Sequence, residues 1–297
     1  MALVAIGVYT TFRILDFPDL TIDGSFTLGA SITATMLVAG YNPYVTLPVA
    51  FVLGALAGIA TAMMATRLHI HSLLASIITA TALISINLRI MGRSNVPLLN
   101  TDTIFTPFAV PFRTFVNETF GETWGRSANN ILTILFVGLI VILIKLLFDW
   151  FLHTELGLAL QATGDNPKMV RSLGRSTDTL LVIGVALSNG LVGVSGSIFA
   201  QDQGFSDINM GIGLIIAGLA AVILGETFFR PRTIAAATTA VILGMIIYRI
   251  AIAAALSVKI PLPGGEFFRI DAQDVKLATA ILVLISLWAT QLQKRKQ

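Results

Sequence analysis

Residues 17–30 read FPDLTIDGSFTLGA. Two carboxylates, Asp19 and Asp23, a proline and two glycines sit there between apolar runs. A uniform transmembrane helix has no use for any of them. Proline removes an N–H and clashes with the preceding turn, and an ionisable residue at membrane depth marks a functional place by default. Everything else about the fold follows from whether this stretch is a loop at the membrane surface or a break inside the membrane.

The surrounding composition shows that a membrane is involved. Of 297 residues, 55% are hydrophobic and only 12% charged, and the mean hydropathy is +0.85. Soluble domains carry about 25% charged residues. Apolar runs long enough to cross a ~30 Å hydrocarbon core recur along the chain. The ~10-residue alternation of a membrane barrel is absent. The pattern predicts an all-α polytopic membrane protein with about nine transmembrane helices (8–10), at roughly 1–15, 26–40, 44–66, 72–90, 128–148, 178–200, 208–228, 233–256 and 275–292. The whole chain, 1–297, reads as one transmembrane domain. The first run is short and Arg13 ends it, the reverse of the charge order of a signal peptide.

Basic residues orient the spans. The tail Lys294, Arg295, Lys296 belongs in the cytoplasm, as do Arg230, Arg232, Lys168, Arg171, Arg175 and Arg67. Nine spans then place the amino end outside and the carboxyl end in the cytoplasm. Two longer polar segments, about 91–127 and 257–274, fall outside; they read as connectors with interfacial aromatic anchors or as a docking face for an external partner. Glu226 with Arg230 and Arg232 reads as an interfacial ion-pair cluster or a cytoplasmic contact. With no cysteines, disulfides and thiol chemistry are excluded. His69, His71 and His153 do not have metal-site spacing, no H-E-x-x-H occurs, and no G-x-x-x-x-G-K-[ST] is present to hold nucleotide phosphates. The expectation is no catalytic residue, no metal and no cofactor bound by this chain.

Inside, at about 155–177, lies ELGLALQATGDNPKMVRSLGRST. Asp165 or Asn166 can cap a short helix, Pro167 suits its first position, and Gly174 can close it in the left-handed conformation. Met169, Val170 and Leu173 give it an apolar side among Lys168, Arg171 and Arg175. So short a helix is marginal alone; it rests on lipid headgroups or plugs into a cytoplasmic partner.

This segment, followed by ALSNGLVGVSGSIFA, resembles the coupling region of ABC importer permeases of the branched-chain amino acid and ribose class. Gly157, Ala159, Gln161, Ala162, Asn166, Pro167, Leu173, Gly174, Ala186, Leu187, Gly190, Gly193 and Gly196 stand at the matching positions, and Gly24 and Gly29 match glycines of an early family segment. The likeness runs over about residues 10–292 and is closest to a sub-branch of tryptophan/tyrosine-type uptake. The resemblance implies that Asn166, Pro167, Lys168, Met169, Val170, Arg171, Leu173 and Gly174 dock on a separate ATPase, which holds the ATP. It also implies an extracytoplasmic substrate-binding protein, a second permease copy (a homodimer), and residence in a bacterial inner membrane; nucleic acid is not a partner. The cargo would be a small solute, an amino acid or a related compound. The rival reading is a stand-alone carrier that couples Asp19, Asp23 or Asp207 to an ion gradient.

The opening stretch also has an echo. Phe17 and Asp19 align with Phe205 and Asp207, Thr21 with Asn209, and Ser25 with Gly213, each set followed by an apolar helix. The two helices cross in opposite senses, as in an inverted repeat with discontinuous helices. Such repeats place their breaks around the cargo site. Asp19, Thr21, Asp23, Ser25, Asp207 and Asn209 are therefore candidates to line a pathway; the alternative is that the aspartates cap helices or turns.

Overall fold

The computed structural model describes residues 1–99, 101–120, 128–257, 259–261 and 267–269. The ninth expected span, the basic tail and most of the second external segment lie outside the described residues. Among the described residues, five helices are long and apolar enough to cross a membrane, and two shorter apolar helices, Ala2–Ile14 and Leu214–Phe229, accompany them.

The chain begins with α1 (Ala2–Val8), which runs on as a π-helical turn, Tyr9–Ile14. Thr10 and Thr11 bend their hydroxyls back onto the carbonyls of Ile6 and Gly7, which suits the wide turn. Asp16 then takes a positive φ of 51°, a conformation aspartate tolerates better than most residues. The Phe17 N–H closes the turn on the Thr11 carbonyl at 2.8 Å, and Pro18 forbids further helix. After this break α2 (Thr21–Val38) starts, five residues before the predicted span. It is followed by α3 (Pro43–Arg67) and α4 (Ser72–Met91). His71 caps α4, its Nδ1 accepting from the Leu73 N–H.

The segment at about 91–127, expected outside, has structure of its own. It forms a short strand, β1 (Asn95–Pro97), and a helix, α5 (Thr106–Phe120). Then come α6 (Ala128–Leu152), the short α7 (Glu155–Asp165) and α8 (Pro167–Ser172), and the long α9 (Thr177–Gln203). Next are β2 (Phe205–Asp207), α10 (Leu214–Phe229) and α11 (Ile234–Ser257), then a hairpin of β3 (Lys259–Pro261) and β4 (Phe267–Arg269). β2 pairs antiparallel with β1, Asn95 opposite Asp207. The hairpin pairs Lys259 with Arg269.

The 27-residue α9 is the axis of the molecule, about 40 Å long at 1.5 Å per residue. Its Gly/Ser/Ala-rich faces allow backbones to touch. A Cβ at Gly29 of α2 would run into the Gly193 carbonyl, and one at Gly196 into the Phe26 carbonyl. Gly54 and Gly58, the G-x-x-x-G of α3, press on the Asn189 and Val185 carbonyls in the same way. Where both solvents are apolar, such close approach is what holds helices together. By contrast α6, the most apolar of the five long helices, is mostly exposed along its length. It is pinned at one end by Asp149, whose carboxylate pairs with Lys145 at 2.7 Å and accepts from Thr238 of α11 at 2.7 Å.

Candidate functional site

Asp19 lies within the break and is completely buried. Its Oδ1 accepts the Thr21 N–H at 2.9 Å, at the first turn of α2, and its Oδ2 accepts from Asn189 Nδ2 at 2.6 Å. Asn189 lies near the middle of α9, so the extended stretch carries Asp19 back to mid-height of the longest helix. The amide is held on its other side by Ser25, whose hydroxyl donates to Asn189 Oδ1 at 2.7 Å. Thr21 continues the polar chain to Thr61 (2.7 Å), and Thr61 to Thr79 (2.8 Å). Buried polar groups of this kind persist only when they are partnered. This network stitches α2, α3, α4 and α9 together.

Asp23, one turn further on, reaches across to the other half of the chain. Its Oδ2 accepts the Gly213 N–H and its Oδ1 the Ile215 N–H, both at 2.9 Å. It therefore caps α10 from α2, meeting the free N–H groups and positive end of that helix with a carboxylate. The helical start expected at 208 is delayed to Leu214, because residues 208–213 form turns closed by Gly213 at a φ of 88°. The beginnings of α2 and α10 thus meet.

Beside this junction is a cavity of about 230 Å³, lined by Leu20, Asp23, Gly24 and Thr27 of the α2 end, Ile77, Ala80, Thr81, Ile84 and Asn87 of α4, and Ile208, Asn209 and Ile212 of the turn. Of the six residues expected along a pathway, Asp23 and Asn209 line it. Asp19, Thr21 and Ser25 are buried in the packed network beside it. Asp207 sits in β2, where it accepts the Asn209 N–H at 2.8 Å and an Asn95 amide hydrogen at 3.3 Å. Asp19 and Asp207 make the same bond, each accepting the N–H two residues on.

Helix α8 is built as its sequence predicts. Asn166 Oδ1 accepts the Met169 N–H at 3.1 Å, Pro167 opens the helix, and Gly174 follows with a φ of 79°. The three apolar residues divide: Val170 is buried, while Met169 and Leu173 project outward, Leu173 with 71% of its surface exposed. Arg171 is spent on Thr177 and Asp178, and Arg175 pairs with Glu155 at 3.7 Å. Lys168 is exposed. The helix α7 that precedes α8 packs so closely on the end of the π-helical turn that a Cβ at Gly164 would strike the Ile14 carbonyl.

Comparison with known proteins decides what this architecture belongs to. A family model described as "Branched-chain amino acid transport system / permease component" matches residues 1–286. The chain is a member of that permease family. A "Tyrosine transport system permease protein" of Clostridioides difficile (strain R20291) is 39% identical over 284 residues, covering 96% of this chain and 85% of that protein. An uncharacterised protein of Rickettsia prowazekii (strain Madrid E) is 31% identical over 224 residues, 75% of this chain and 72% of the relative. A shorter match, 34% over 100 residues, covers 33% of this chain and 29% of an "Autoinducer 2 import system permease protein LsrC" of Salmonella paratyphi B. No solved structure matches.

Several residues of the permease that matter here escaped sequence reasoning. Asn87, Thr27 and Thr81 line the cavity but sit in apolar helices, where single polar residues usually bond to their own backbone. Asn189 reads in sequence only as part of a Gly/Ser-rich helix. Glu226 was expected beside Arg230 and Arg232; instead it pairs with Arg13 at 2.8 Å, linking the end of α10 to the π-helical turn. Among the described residues, no group of three or more His, Asp or Glu could hold a metal ion.

Proposed function

We propose that this permease is the transmembrane subunit of a binding-protein-dependent bacterial importer, which passes a small solute, an amino acid or related compound, across the inner membrane. Two copies form the pathway. Each docks α8 in a groove of a separate ATPase, where the ATP is held, and a binding protein delivers cargo to the outer face. The amino end lies outside and the carboxyl end in the cytoplasm. The observation that carries this reading is the build of α8. A capped two-turn helix anchored inward by Val170 presents Met169 and Leu173 outward, a shape suited to insertion into a partner's apolar groove.

The permease does no chemistry of its own; it has two states that its partners bias. A displacement of α8 passes to α7, and from Gly164 to the end of the π-helical turn at Ile14, which is directly followed by the break that carries Asp19. We read α2 and α10 as corresponding discontinuous helices of an inverted repeat, supported by the matching turns at Asp19 and Asp207 and by the meeting of their starts at Asp23. Asp23 and Asn209 then border the pathway, while Asp19, Thr21 and Ser25 hold its wall and Asp207 shapes the outer turn.

The test is chemical. Met169→Cys in the assembled importer, paired with cysteines along the ATPase groove, is expected to cross-link and to do so differently with and without ATP. If no position from Lys168 to Leu173 cross-links, the docking is wrong. If the purified permease alone concentrates solute under an ion gradient, the carrier reading replaces this one.

A further inference from the structure

Hydroxyl donors and off-register backbone bonds hold the turn Tyr9–Ile14 open. The Thr10 hydroxyl donates to the Ile6 carbonyl at 2.8 Å and the Thr11 hydroxyl to the Gly7 carbonyl at 3.4 Å. Ser188 of α9 donates to that same Gly7 carbonyl at 2.8 Å. Side-chain donors that enter a backbone ladder distort it in this way. Further on, the Leu15 N–H bonds the Thr10 carbonyl at 3.0 Å, and the Phe17 N–H takes the Thr11 carbonyl at 2.8 Å. In an α-helix the Leu15 N–H would take the Thr11 carbonyl instead. The α register is thus one exchange of partners away.

The two ends of the turn differ in freedom. Its start is fixed, since a Cβ at Gly7 would strike Val192 and Ser188 of α9. Its end runs into the irregular residues 16–18, where Asp16 holds a positive φ and Pro18 has no N–H to lose. This short stretch, ahead of the tightly bonded Asp19, can take up slack. Passing to the α register turns the residues after Thr11 by about 100° around the helix axis and moves them about 1.5 Å along it. Phe12 then stands where Arg13 stood, facing Glu226, and Arg13 comes to the place of Ile14.

Helix α7 opposes that change. Ile14 is buried, and its carbonyl lies where a Cβ at Gly164 would be. While α7 is seated there, the α register would bury the Arg13 guanidinium against it, and an unpaired buried charge is costly. The 2.8 Å pair of Arg13 with Glu226 would be lost as well. When α7 withdraws, the place of Ile14 becomes one that a charged side chain can occupy.

We propose that Tyr9–Ile14 is a register switch, π-helical while α7 is seated on Ile14 and α-helical once α7 moves away. The break at 16–18 absorbs the shift, Ser188 holds the π register from α9, and the end of α10 is released as Arg13 leaves Glu226. This rests on the transport reading above, which supplies the ATPase that moves α8 and α7. It deepens that reading by naming how their motion enters the membrane helices. Helical turns of this kind stand frequently at working parts of proteins.

The experiment uses the assembled importer in proteoliposomes. The chain has no cysteine, so introduced thiols are unique in the permease. Glu226→Cys is combined with Arg13→Cys or with Phe12→Cys, and each pair is joined by a short bis-methanethiosulfonate linker, with and without ATP and vanadate. Without nucleotide, the Arg13→Cys pair is expected to link at least about fivefold faster than the Phe12→Cys pair, and with ATP and vanadate the order is expected to invert, a change of the size of an allosteric coupling. Ser188→Ala should raise linking of the Phe12→Cys pair about threefold without nucleotide, the worth of one hydrogen bond. Loss of both links together shows rigid separation of the helices and overturns the proposal. An unchanged ratio of the two pairs, or a Ser188→Ala variant that leaves the ratio as it was, also overturns it. Cross-linking of Met169→Cys to the ATPase is read on matched samples. Its presence with an unchanged ratio removes the switch alone; its absence at every position from Lys168 to Leu173 removes the transport reading, and the switch loses its drive with it.

Discussion

Among the described residues, Asp23 is the one side chain that bonds the N–H groups at the start of α10, and replacing it with alanine removes that cap. Two bonds at 2.9 Å are lost, to Gly213 and Ile215. Hydrogen bonds to charged groups contribute about 1.5–3 kcal/mol each, and a charge at a helix end adds about 0.3–1 kcal/mol more. Asp23 is half-buried beside the cavity, so water can reach part of the freed backbone and return some of that loss. The expected net destabilisation is about 2–4 kcal/mol. Asp23→Asn keeps one acceptor and should recover about half of it. Thermal unfolding of the permease in lipid nanodiscs gives the global number. Hydrogen exchange of peptides covering residues 210–220 gives the local one, with faster exchange at 213–216 in the alanine variant. An alanine variant within about 0.5 kcal/mol of the parent, the range of ordinary surface changes, with unaltered exchange there, would refute the cap across the two halves.

The helix contacts make a graded series. Gly29→Ala must push α2 from α9, so about 1–3 kcal/mol or more of stability should be lost. Gly138→Ala, where a Cβ meets nothing, should be neutral or stabilising by up to about 1 kcal/mol; equal effects in unfolding assays contradict the packing. Lys145→Met leaves the Asp149 carboxylate without its ion partner, and the expected cost is about 3–5 kcal/mol. Asp149→Asn in the same chain should restore much of it, and a double-mutant cycle with no coupling would show the pair to be idle. Gly164→Val separates α7 from Ile14. Solute-driven ATP hydrolysis by the assembled importer should fall at least fivefold while ATPase docking, read by Met169→Cys cross-linking, persists; unchanged hydrolysis would break the proposed link from α8 to the break.

What the sequence revealed, it revealed through local chemistry. The α8 cap, its proline and its closing glycine are consecutive residues whose roles need no tertiary partner, and the structure places them as expected. The break after Arg13 was legible for the same reason, from Pro18 and the carboxylates. Helix α7 was not, because Gly157 and Gly164 lower its propensity; they are there for close contacts with Leu152 and Ile14 that only the fold reveals. Asp23 looked like a candidate to cap its own helix or line a cavity. It caps a different helix, since its partners are about 190 positions away in the chain. Asn87 carries no sequence signal at all: an amide in SINLRI becomes informative only when Gly24 claims its nitrogen and nothing claims its oxygen.

These ties constrain which wall of the cavity can move. Helix α10 is fastened to the first residues of the chain at both ends, by Asp23 at its start and by the Arg13–Glu226 pair at its end. Moving α10 away from α2 exposes two backbone donors and a carboxylate in the same step. Helix α2 in turn is seated on α9 with no room even for a methyl group at Gly29. Helix α4 is tied to both α2 and α3. It meets α2 through Asn87 on the Gly24 carbonyl (3.3 Å), Leu83 on the same glycine, Ser31 on Met91 Sδ (3.0 Å) and Thr35 on the Ile90 carbonyl (3.3 Å), and α3 through Thr61 and Thr79 (2.8 Å), while Leu74, Ile78 and Ile86 are exposed. Each wall of the cavity is thus fastened at several points, and moving any one of them breaks more than one hydrogen bond at once.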